Sequence, residues 1–207
     1  MSKNRKKILL IGDSCVDVYV YGSCERISPE APVPIFLKSG KIEKRPGMSK
    51  NVYFNLLNLE IEVDHITNAE DIVKTRIVAK KNNVVNHVLR IDDEPEIVGL
   101  NAKQIEDVAQ YSAIVFSDYD KGFLSTETCG YVCKKAKNYK IPVFVDTKKK
   151  DLSCFENSII KINKYEQSLV EKMPSNFTLI TTLGSEGADI DGKLIPPYEI
   201  SNVANGG

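Results

Sequence analysis

The chain has 207 residues, of which 42% are hydrophobic and 27% are charged, and its 28 basic residues balance 28 acidic ones. This length and composition predict one soluble domain with a sizeable core, and the zero formal net charge indicates neither a nucleic-acid partner nor a membrane partner. No apolar run approaches the roughly 20 residues of a membrane span, and the first apolar run is too short for a signal peptide, so we expect a cytoplasmic protein.

The first predicted element is a strand over residues 8–11 that runs into a Gly-Asp pair. A short apolar run of this kind is typical of a buried parallel strand, and open α/β sheets bind ligands at the carboxyl ends of such strands. Asp13 and, four residues later, Asp17 are therefore candidate ligand-binding residues. Apolar spacing then predicts a helix over residues 49–59 and a strand over residues 63–67.

The pattern changes after this strand. Residues 74–80 and 84–90 are two extended, β-branched runs around a short polar turn, which predicts a hairpin rather than a βαβ unit. Together with extended runs at residues 17–21 and 33–38, they supply four strands outside the main sheet. We expect these strands to form a small β-sheet lid over the carboxyl edge of that sheet.

From residue 102 onward, helical and extended patterns alternate again. The predicted helices span residues 102–109, 125–138 and 164–172, and the predicted strands span residues 113–117, 143–145, 158–162, 177–182, 188–191 and 193–195. Such alternation favours an α/β fold with a largely parallel sheet covered by helices. We therefore predict a single domain over residues 1–207, with the lid strands, within 17–38 and 74–90, inserted in the α/β core.

The cysteines indicate neither a disulfide framework nor a zinc site. Their number is odd and no C-x-x-C pair occurs. Two of them lie one helical turn apart, and we interpret them as packing residues. The five are Cys15, Cys24, Cys129, Cys133 and Cys154.

Short polar motifs follow several predicted strands, and each has a second, purely structural interpretation. The Pro-Gly-Met-Ser-Lys-Asn run that ends at Asn51 has two interpretations. It either directs backbone N–H groups and the Asn51 amide at a ligand, or it is only a turn before a helix. The Ser-Asp-Tyr-Asp-Lys-Gly run from Ser117 is a site loop or a solvated turn. The Asn-x-x-Glu pair of Asn163 and Glu166 faces one ligand or caps a helix. The Thr-Leu-Gly-Ser-Glu-Gly run from Thr182 lets the backbone approach a ligand or opens a hairpin.

Taken in order over residues 7–207, these segments resemble the ribokinase-like (PfkB) carbohydrate kinases. The Arg-Ile-Ser-Pro-Glu-Ala-Pro-Val-Pro run at residues 26–34 and the loop at residues 117–122 look most like the heptose 7-phosphate kinase branch. The resemblance implies a three-layer, Rossmann-like α/β fold with a lid. It also implies ATP and Mg²⁺ as cofactors and a small sugar phosphate as the substrate.

The same resemblance assigns roles to individual residues. By it, the substrate-binding residues are Asp13, Asp17, Gly47, Asn51, Asp118 and Lys121. Two further candidates, Arg76 and Arg90 on the predicted lid strands, either bind a substrate phosphate with two hydrogen bonds or pair with nearby acids at the surface. The nucleotide-binding residues are Lys148, Asn163, Glu166, Thr182, Gly184 and Gly187, and Glu166 also holds magnesium through a bound water. The sequence departs from the family pattern at Met48, where a glycine is common, and at Thr147, where a proline is common. Lys148 opens a run of three lysines that we interpret as solvated apart from one functional member.

The family's catalytic motif is Gly-Ala-Gly-Asp at the start of a helix, and residues 202–207 align with the approach to it. Gly207 corresponds to the residue before the catalytic aspartate, so we predict no catalytic residue and expect a C-terminally truncated domain.

Two functions remain open. As a fragment, the chain belongs to an ATP-dependent and magnesium-dependent kinase that phosphorylates the anomeric hydroxyl of a heptose 7-phosphate, a precursor of ADP-heptose and the lipopolysaccharide core. As a genuine short form, it is an inactive module that binds sugar phosphate or dimerises. We expect a homodimer through the lid, whose strand edges a second copy can cover. A nicotinamide-dependent dehydrogenase fits the alternation but requires a G-x-G-x-x-G after the first strand, which is absent.

Overall fold

The computed structural model describes residues 7–81, 84–105 and 107–198. The predicted turn residues 82 and 83 and the segment 202–207, with its expected approach to the catalytic motif, lie outside the described residues. In chain order the strands are β1 (Lys7–Gly12), β2 (Ser14–Ile27), β3 (Pro34–Met48), β4 (Val63–Ile66), β5 (Ile72–Lys81), β6 (Val84–Asp93), β7 (Tyr111–Asp118), β8 (Val143–Thr147), β9 (Ser158–Asn163), β10 (Phe177–Thr182), β11 (Ala188–Ile190) and β12 (Lys193–Ile195). The α-helices are α1 (Ser49–Asn58), α2 (Thr126–Asn138) and α3 (Lys164–Ser168).

Eight of the described strands form the main sheet, in the order β12-β11-β10-β9-β8-β7-β1-β4. The six strands from β10 to β4 are parallel, whereas β11 and β12 add an antiparallel hairpin at one end. The predicted α/β class with a largely parallel sheet is therefore confirmed. Because the six parallel strands point the same way, the loops after them meet at one edge of the sheet.

The remaining four strands form the lid, in the order β3-β2-β5-β6. Only Asp13 separates β1 from β2, so the chain passes from the main sheet directly into the lid. The β2–β3 ladder shifts register between Val20 and Gly22, and the β5–β6 ladder shifts between Ile77 and Val78. Since Val20 pairs with Ile77 across β2 and β5, the two irregularities lie at the same height in the lid.

Alternating side chains of the parallel strands pack beneath α2 to form the main core. Phe116 of β7 meets Phe155 edge to face, with ring centroids 5.6 Å apart, and both rings are fully buried. The buried face of α2 follows helical spacing and consists of Cys129, Val132, Cys133 and Ala136. On the opposite face of the sheet, Phe144 remains 41% exposed. Within the described residues, no helix is of the length and apolarity that crossing a membrane requires.

Two predicted helices differ from the structure. Of the helix predicted over residues 102–109, the described residues 102–105 and 107–109 form only a short 3₁₀ turn, Ala102–Gln104. Asn101 and Asp107 accept hydrogen bonds from nearby backbone N–H groups, which compete with a helical ladder.

The helix predicted over residues 164–172 ends at Ser168. The chain beyond it pairs with another segment, where the Glu171 N–H donates to the Lys150 carbonyl and the Leu152 N–H donates to the Lys172 carbonyl. Pro174 then disfavours helical backbone at the residue before it. Tertiary pairing therefore replaces the second half of the predicted helix.

Candidate active site

Asp13 organises the carboxyl edge of the sheet. Its side chain is fully buried, and its two carboxylate oxygens accept the backbone N–H groups of Tyr119 at 2.7 Å and Phe123 at 3.4 Å. Its carbonyl accepts the Ser49 N–H at 2.9 Å, at the start of α1. A buried carboxylate requires such donors, and here they attach the loop after β7 and the first helix to the base of the lid.

Asp118, at the end of β7, is also buried and has a cationic neighbour. The Thr147 hydroxyl donates to its Oδ2 at 2.8 Å, and the Lys149 ammonium lies 3.5 Å from the same oxygen. Burial raises the pKa of Asp118 above its ordinary value, although Lys149 and Thr147 oppose this effect. Lys149 also contacts Asp120 at 2.7 Å, and its side chain is only 11% exposed.

The lid contributes a carboxylate–guanidinium pair. Arg76 of β5 lies 2.5 Å from Asp17 of β2, and each side chain is 19% exposed. A Cβ added at Gly47 of β3 would lie 2.7 Å from the Asp17 carboxylate and 2.4 Å from the Cys15 sulfur, so only glycine permits this close packing. The predicted substrate residues Asp17, Gly47 and Arg76 therefore lie together.

Other predicted substrate residues are spread around this pair. Arg90 is the β6 partner of Arg76 in the ladder and forms an ion pair with Asp92, while remaining 57% exposed. Lys121, on the loop after β7, contacts Glu94 at the end of the lid at 2.7 Å. Asn51 lies exposed in the first turn of α1.

Met48, which stands where the family commonly has glycine, adopts a backbone conformation typical of glycine. It has φ 53° and ψ −133° and directly precedes α1. Its side chain is buried with Cys15 and Ile72 at the base of the lid. The turn is therefore kept without its glycine, at the cost of backbone strain.

The predicted nucleotide residues gather at the ends of β8, β9 and β10. Asn163 caps α3, since its Oδ1 accepts the Glu166 N–H at 2.8 Å, and Glu166 Oε2 accepts the Asn163 N–H at 2.8 Å. This is a capping box, the structural interpretation of the Asn-x-x-Glu pattern. Glu166 Oε1 also forms an ion pair with Lys148. Burial opposes ionisation of Glu166, but Lys148 and the Asn163 N–H outweigh it and hold the pKa of Glu166 below its ordinary value.

Thr182 lies beside Asn163, because the two residues pair at the ends of β10 and β9. The turn that follows contains Gly184 at φ 62° and Gly187 at φ 96°, conformations that favour glycine. A Cβ at Gly184 would meet no atom within 4 Å, so Gly184 faces open space, whereas a Cβ at Gly187 would lie 2.2 Å from the Ile195 carbonyl oxygen.

Tyr119 joins the lid half of the site to the nucleotide half. It packs against the buried cluster at the base of the lid, and the Lys148 ammonium lies 5.6 Å from the centre of its ring. Burial raises the pKa of Tyr119, and the charges of Asp146 and Asp17 add to the effect.

Sequence reasoning missed Lys149 and Tyr119 as site residues. Lys149 belongs to the lysine run that was interpreted as mainly solvated, and nothing in that run marks its middle member. Tyr119 lay within a predicted motif but carried no role. Within the described ranges, no cluster of three or more His, Cys, Asp or Glu side chains is arranged to hold a metal ion.

Comparison with known sequences finds bifunctional HldE proteins of several bacteria among the relatives. The bifunctional protein HldE of Campylobacter jejuni strain RM1221 is 37% identical over 251 residues, which include 98% of this chain and 54% of the relative. The bifunctional protein HldE of Actinobacillus pleuropneumoniae serotype 5b is 28% identical over 186 residues, which cover 76% of this chain and 38% of the relative. The chain thus spans about half the length of the C. jejuni relative. No family model matches the sequence.

Solved structures agree on the fold. Ribokinase of Arabidopsis thaliana, complexed with ribose and ATP, matches 96% of this chain and 80% of its own with a TM-score of 0.59 at 13% identity. The tetrameric inhibited form of phosphofructokinase-2 from Escherichia coli matches 94% of this chain and 80% of its own, with a TM-score of 0.61 at 14% identity. The chain is thus similar in sequence to half of the HldE proteins, and it has the fold of the ribokinase-like carbohydrate kinases.

Proposed function

We propose that the chain provides the sugar-binding and nucleotide-binding parts of an ATP-dependent kinase that phosphorylates the anomeric hydroxyl of a heptose 7-phosphate. The observation that supports this most is the position of Tyr119, which contacts the base of the lid on one side and Lys148 on the other. A sugar held under the lid and a triphosphate held at the strand ends then meet at one edge of the sheet.

On the lid side, Asp17 accepts hydrogen bonds from sugar hydroxyls, for which an ionised carboxylate is a strong acceptor. Arg76 and Arg90, paired on neighbouring strands, supply guanidinium groups that bind a phosphate with two parallel hydrogen bonds. A substrate with both hydroxyls and a remote phosphate uses both groups, which favours a sugar phosphate over a free sugar. Asn51 and Lys121 lie at the border of this region.

On the nucleotide side, Lys148 provides the positive charge for the phosphates, and the Gly184 turn provides room for close backbone approach. The residues fit ATP with Mg²⁺, because the pKa of Glu166 is held low and its carboxylate would hold the ion through water, while Lys148 would supply a cation for the phosphates. These substrates imply a cytoplasmic location.

A second candidate function is a module that binds sugar phosphate without turnover. Each of the described carboxylates Asp13, Asp17, Asp118, Asp120, Asp146 and Glu166 already receives a hydrogen bond or pairs with a cation. A general base for the sugar hydroxyl needs a free carboxylate within hydrogen-bond reach. This arrangement favours binding over catalysis for the described residues taken alone.

Calorimetry with the heptose 7-phosphate tests the proposed function. We expect Asp17→Asn to weaken binding by about tenfold or more, since a hydrogen bond to a charged group contributes roughly 1.5 to 3 kcal/mol. The control is Asp93→Asn, on the outer face of the same lid, which should leave affinity unchanged.

Calorimetry with ATP then separates the two candidates, because the chain is predicted to hold no catalytic residue and turnover is not a fair test of it. Binding of ATP beside the sugar phosphate supports the kinase, and binding of the sugar phosphate without ATP supports the binding module. If the wild-type chain does not bind the sugar phosphate, both candidates are wrong.

A homodimer through the lid is part of this proposal. The outer face of the lid carries exposed apolar side chains, among them Leu89 and Ile91 of β6, which are 56% and 51% exposed. A second copy of the same lid offers a self-complementary apolar surface. One solved relative, phosphofructokinase-2, is described as tetrameric, so oligomers occur on this fold.

A further inference from the structure

A second cavity, which we call the lid-tip cavity, lies toward the far ends of the lid strands. It has a volume of about 650 Å³. Its polar side chains come from three strands and are those of Tyr21 and Ser23 of β2, Lys38, Ser39 and Lys41 of β3, and Lys80 of β5. Tyr21 lies four residues after Asp17, so the cavity begins about 13 Å further along β2. None of its residues has a role in the proposed kinase.

The lid-tip cavity opens on the same face of the lid as Asp17. Side chains alternate between the two faces along a strand, so Tyr21 shares the face of Asp17. Leu89 of β6 lies on the other face, since ladder pairing places the next residue, Arg90, beside Arg76 on the Asp17 face. A homodimer through the apolar outer face therefore does not involve the surface that holds the cavity.

A bulge in β3 shapes the cavity. At this point one residue of β2, Tyr21, lies opposite three residues of β3, 39–41, before the ladder resumes. The backbone of β3 turns at Gly40, whose φ is 90°, and the Ser39 hydroxyl donates to the Tyr21 carbonyl at 2.8 Å. Bulges redirect the side chains around them, and this one brings two lysines of the same strand to one cavity.

The lid-tip cavity carries an excess of positive charge. Lys41 pairs with Glu43 at 2.6 Å, and Arg45 contacts the same carboxylate at 2.8 Å, so one acid serves two cations. Among the residues that the structure describes, no acid lies within 4 Å of the Lys38 or Lys80 ammonium group. Two ammonium groups therefore line the cavity without a counter-charge.

These groups suit a ligand with several phosphate groups. Phosphate oxygens accept hydrogen bonds from ammonium groups and from hydroxyls such as those of Ser23 and Tyr21. Lys38 and Lys80 approach from β3 and β5, which flank β2 and therefore lie about 10 Å apart. A chain of linked phosphates spans this width better than a single phosphate does. The volume of the cavity lies in the range of small-molecule sites.

We infer that the lid-tip cavity binds a small polyphosphate, that is, a molecule with two or more linked phosphate groups. The ammonium groups of Lys38 and Lys41 hold one end of it, and Lys80 holds the other. Because the ligand then connects β3 to β5 beside the interrupted β2–β3 ladder, its binding stiffens the lid tip. The inference depends on the charges and the shape of this cavity and stands independently of the proposed kinase activity.

Calorimetry with inorganic tripolyphosphate at low ionic strength tests the inference. Every protein in the series carries Lys148→Gln, which removes the cation of the proposed nucleotide side and leaves the lid-tip cavity to be measured. We expect added Lys38→Gln and Lys80→Gln to weaken binding by about tenfold or more, because these are the two cations without an acid partner. The control, Lys44→Gln with Lys134→Gln, removes the same charge at two other exposed lysines and should leave binding unchanged. Unchanged binding without Lys38 and Lys80, an equal loss in the control, or no binding at all would overturn the inference.

Amide hydrogen exchange followed by mass spectrometry locates the bound ligand in the wild-type chain. We expect tripolyphosphate to slow exchange in residues 20–23, 38–42 and 78–81, because a ligand that connects these strands suppresses their local opening. The protection should disappear in the Lys38→Gln and Lys80→Gln double variant. Protection confined to residues 182–187, on the nucleotide side, would show that the lid-tip cavity does not bind the polyphosphate.

Discussion

Asp13 shows how a buried carboxylate organises a site through the backbone groups that it binds. Both of its oxygens are used by backbone N–H groups of the loop after β7. Its sequence position suggested a sugar contact, and that role stays a prediction. In the structure, Asp13 positions Tyr119 by accepting its backbone N–H group. Tyr119 in turn lies between the base of the lid and Lys148 on the nucleotide side.

Lys149 gives a prediction at the scale of one residue. Lys149→Met leaves the buried Asp118 with the Thr147 hydroxyl and the Asp120 N–H as donors but without a counter-charge. We expect the free energy of unfolding to fall by about 1 to 3 kcal/mol in urea titrations at neutral pH.

The pH dependence of this loss has a definite sign. Without Lys149, the folded-state pKa of Asp118 rises further, so the loss is largest at neutral pH. It shrinks as the pH falls and the carboxyl is protonated in both states. Lys150→Met is the matched control from the same run, since Lys150 is 59% exposed and should change stability by less than about 0.5 kcal/mol. A similar loss in both variants would contradict the assignment.

The backbone of Met48 gives a second prediction. Because both Met48→Ala and Met48→Gly remove the side chain, their difference isolates the backbone strain at φ 53°. We expect the glycine variant to be more stable than the alanine variant by about 1 to 2 kcal/mol in urea unfolding.

A strand position with ordinary backbone angles, where the alanine variant should be more stable than the glycine variant, provides the control for this comparison. At Lys44, inside β3, alanine should be more stable than glycine by roughly 0.5 to 1 kcal/mol. An alanine variant at position 48 that equals or exceeds the glycine variant would show that the turn is unstrained.

At the scale of elements, α1 is joined to β4 by a half-buried histidine. The His65 ring nitrogen Nε2 lies 2.9 Å from the Ser49 hydroxyl, and the ring stacks on Tyr53 with centroids 5.2 Å apart. Burial lowers the pKa of His65 to about 4 from its ordinary 6.5. The first turn of the helix is thus held to the sheet by a neutral ring.

This arrangement predicts a pH dependence of stability. Between pH 6.5 and pH 4 the unfolded chain takes up a proton at His65 and the folded chain does not, so the free energy of unfolding falls as the pH falls. In His65→Gln this contribution disappears. We expect the stability difference between wild type and variant to change by about 1 to 2 kcal/mol across this window in urea titrations. A constant difference would mean that His65 titrates normally in the folded state.

Most elements were predictable because their signals are local. The strands of the parallel sheet are apolar runs, and α1 and α2 have helical spacing, so their types are confirmed and their bounds differ by few residues. The lid strands β2 and β3 extend well beyond the predicted 17–21 and 33–38, because cross-strand pairing stabilises polar stretches that have little strand signal of their own. The helix predicted over 102–109 is wrong because two side chains cap the backbone locally.

At the scale of the whole molecule, the exposed lid face predicts self-association. We expect Leu89→Asp to raise the dimer dissociation constant by about tenfold or more, because a charge on that face must be desolvated on association. Leu59→Asp, at the end of α1, is a control at a similarly exposed leucine. Light scattering over a concentration series measures the change. A wild-type chain that stays monomeric at high concentration would contradict the dimer.

The location of the site was easier to predict than its internal contacts. Parallel strands bring their following loops to one edge, so Asp118 and Asn163, which end β7 and β9, lie at the same edge of the sheet, and their roles stay predictions. The pairing of Lys149 with Asp118, or of Asp17 with Arg76, joins residues far apart in the chain. Such pairings depend on tertiary distances that no local pattern encodes.

We expect the aligned register shifts to divide the lid into a rigid base and a tip that bends relative to it. At its base, only Asp13, whose carboxylate accepts two backbone N–H groups, separates β2 from β1, so this connection leaves little slack for a hinge. Beyond Val20 and Ile77, the β2–β3 and β5–β6 ladders are interrupted at the same height while the β2–β5 ladder between them continues, so we expect bending to concentrate along that line. Asp17 and Arg76 lie on the base side of it. We therefore expect a bending of the lid to move its tip while the proposed sugar-binding pair stays in place.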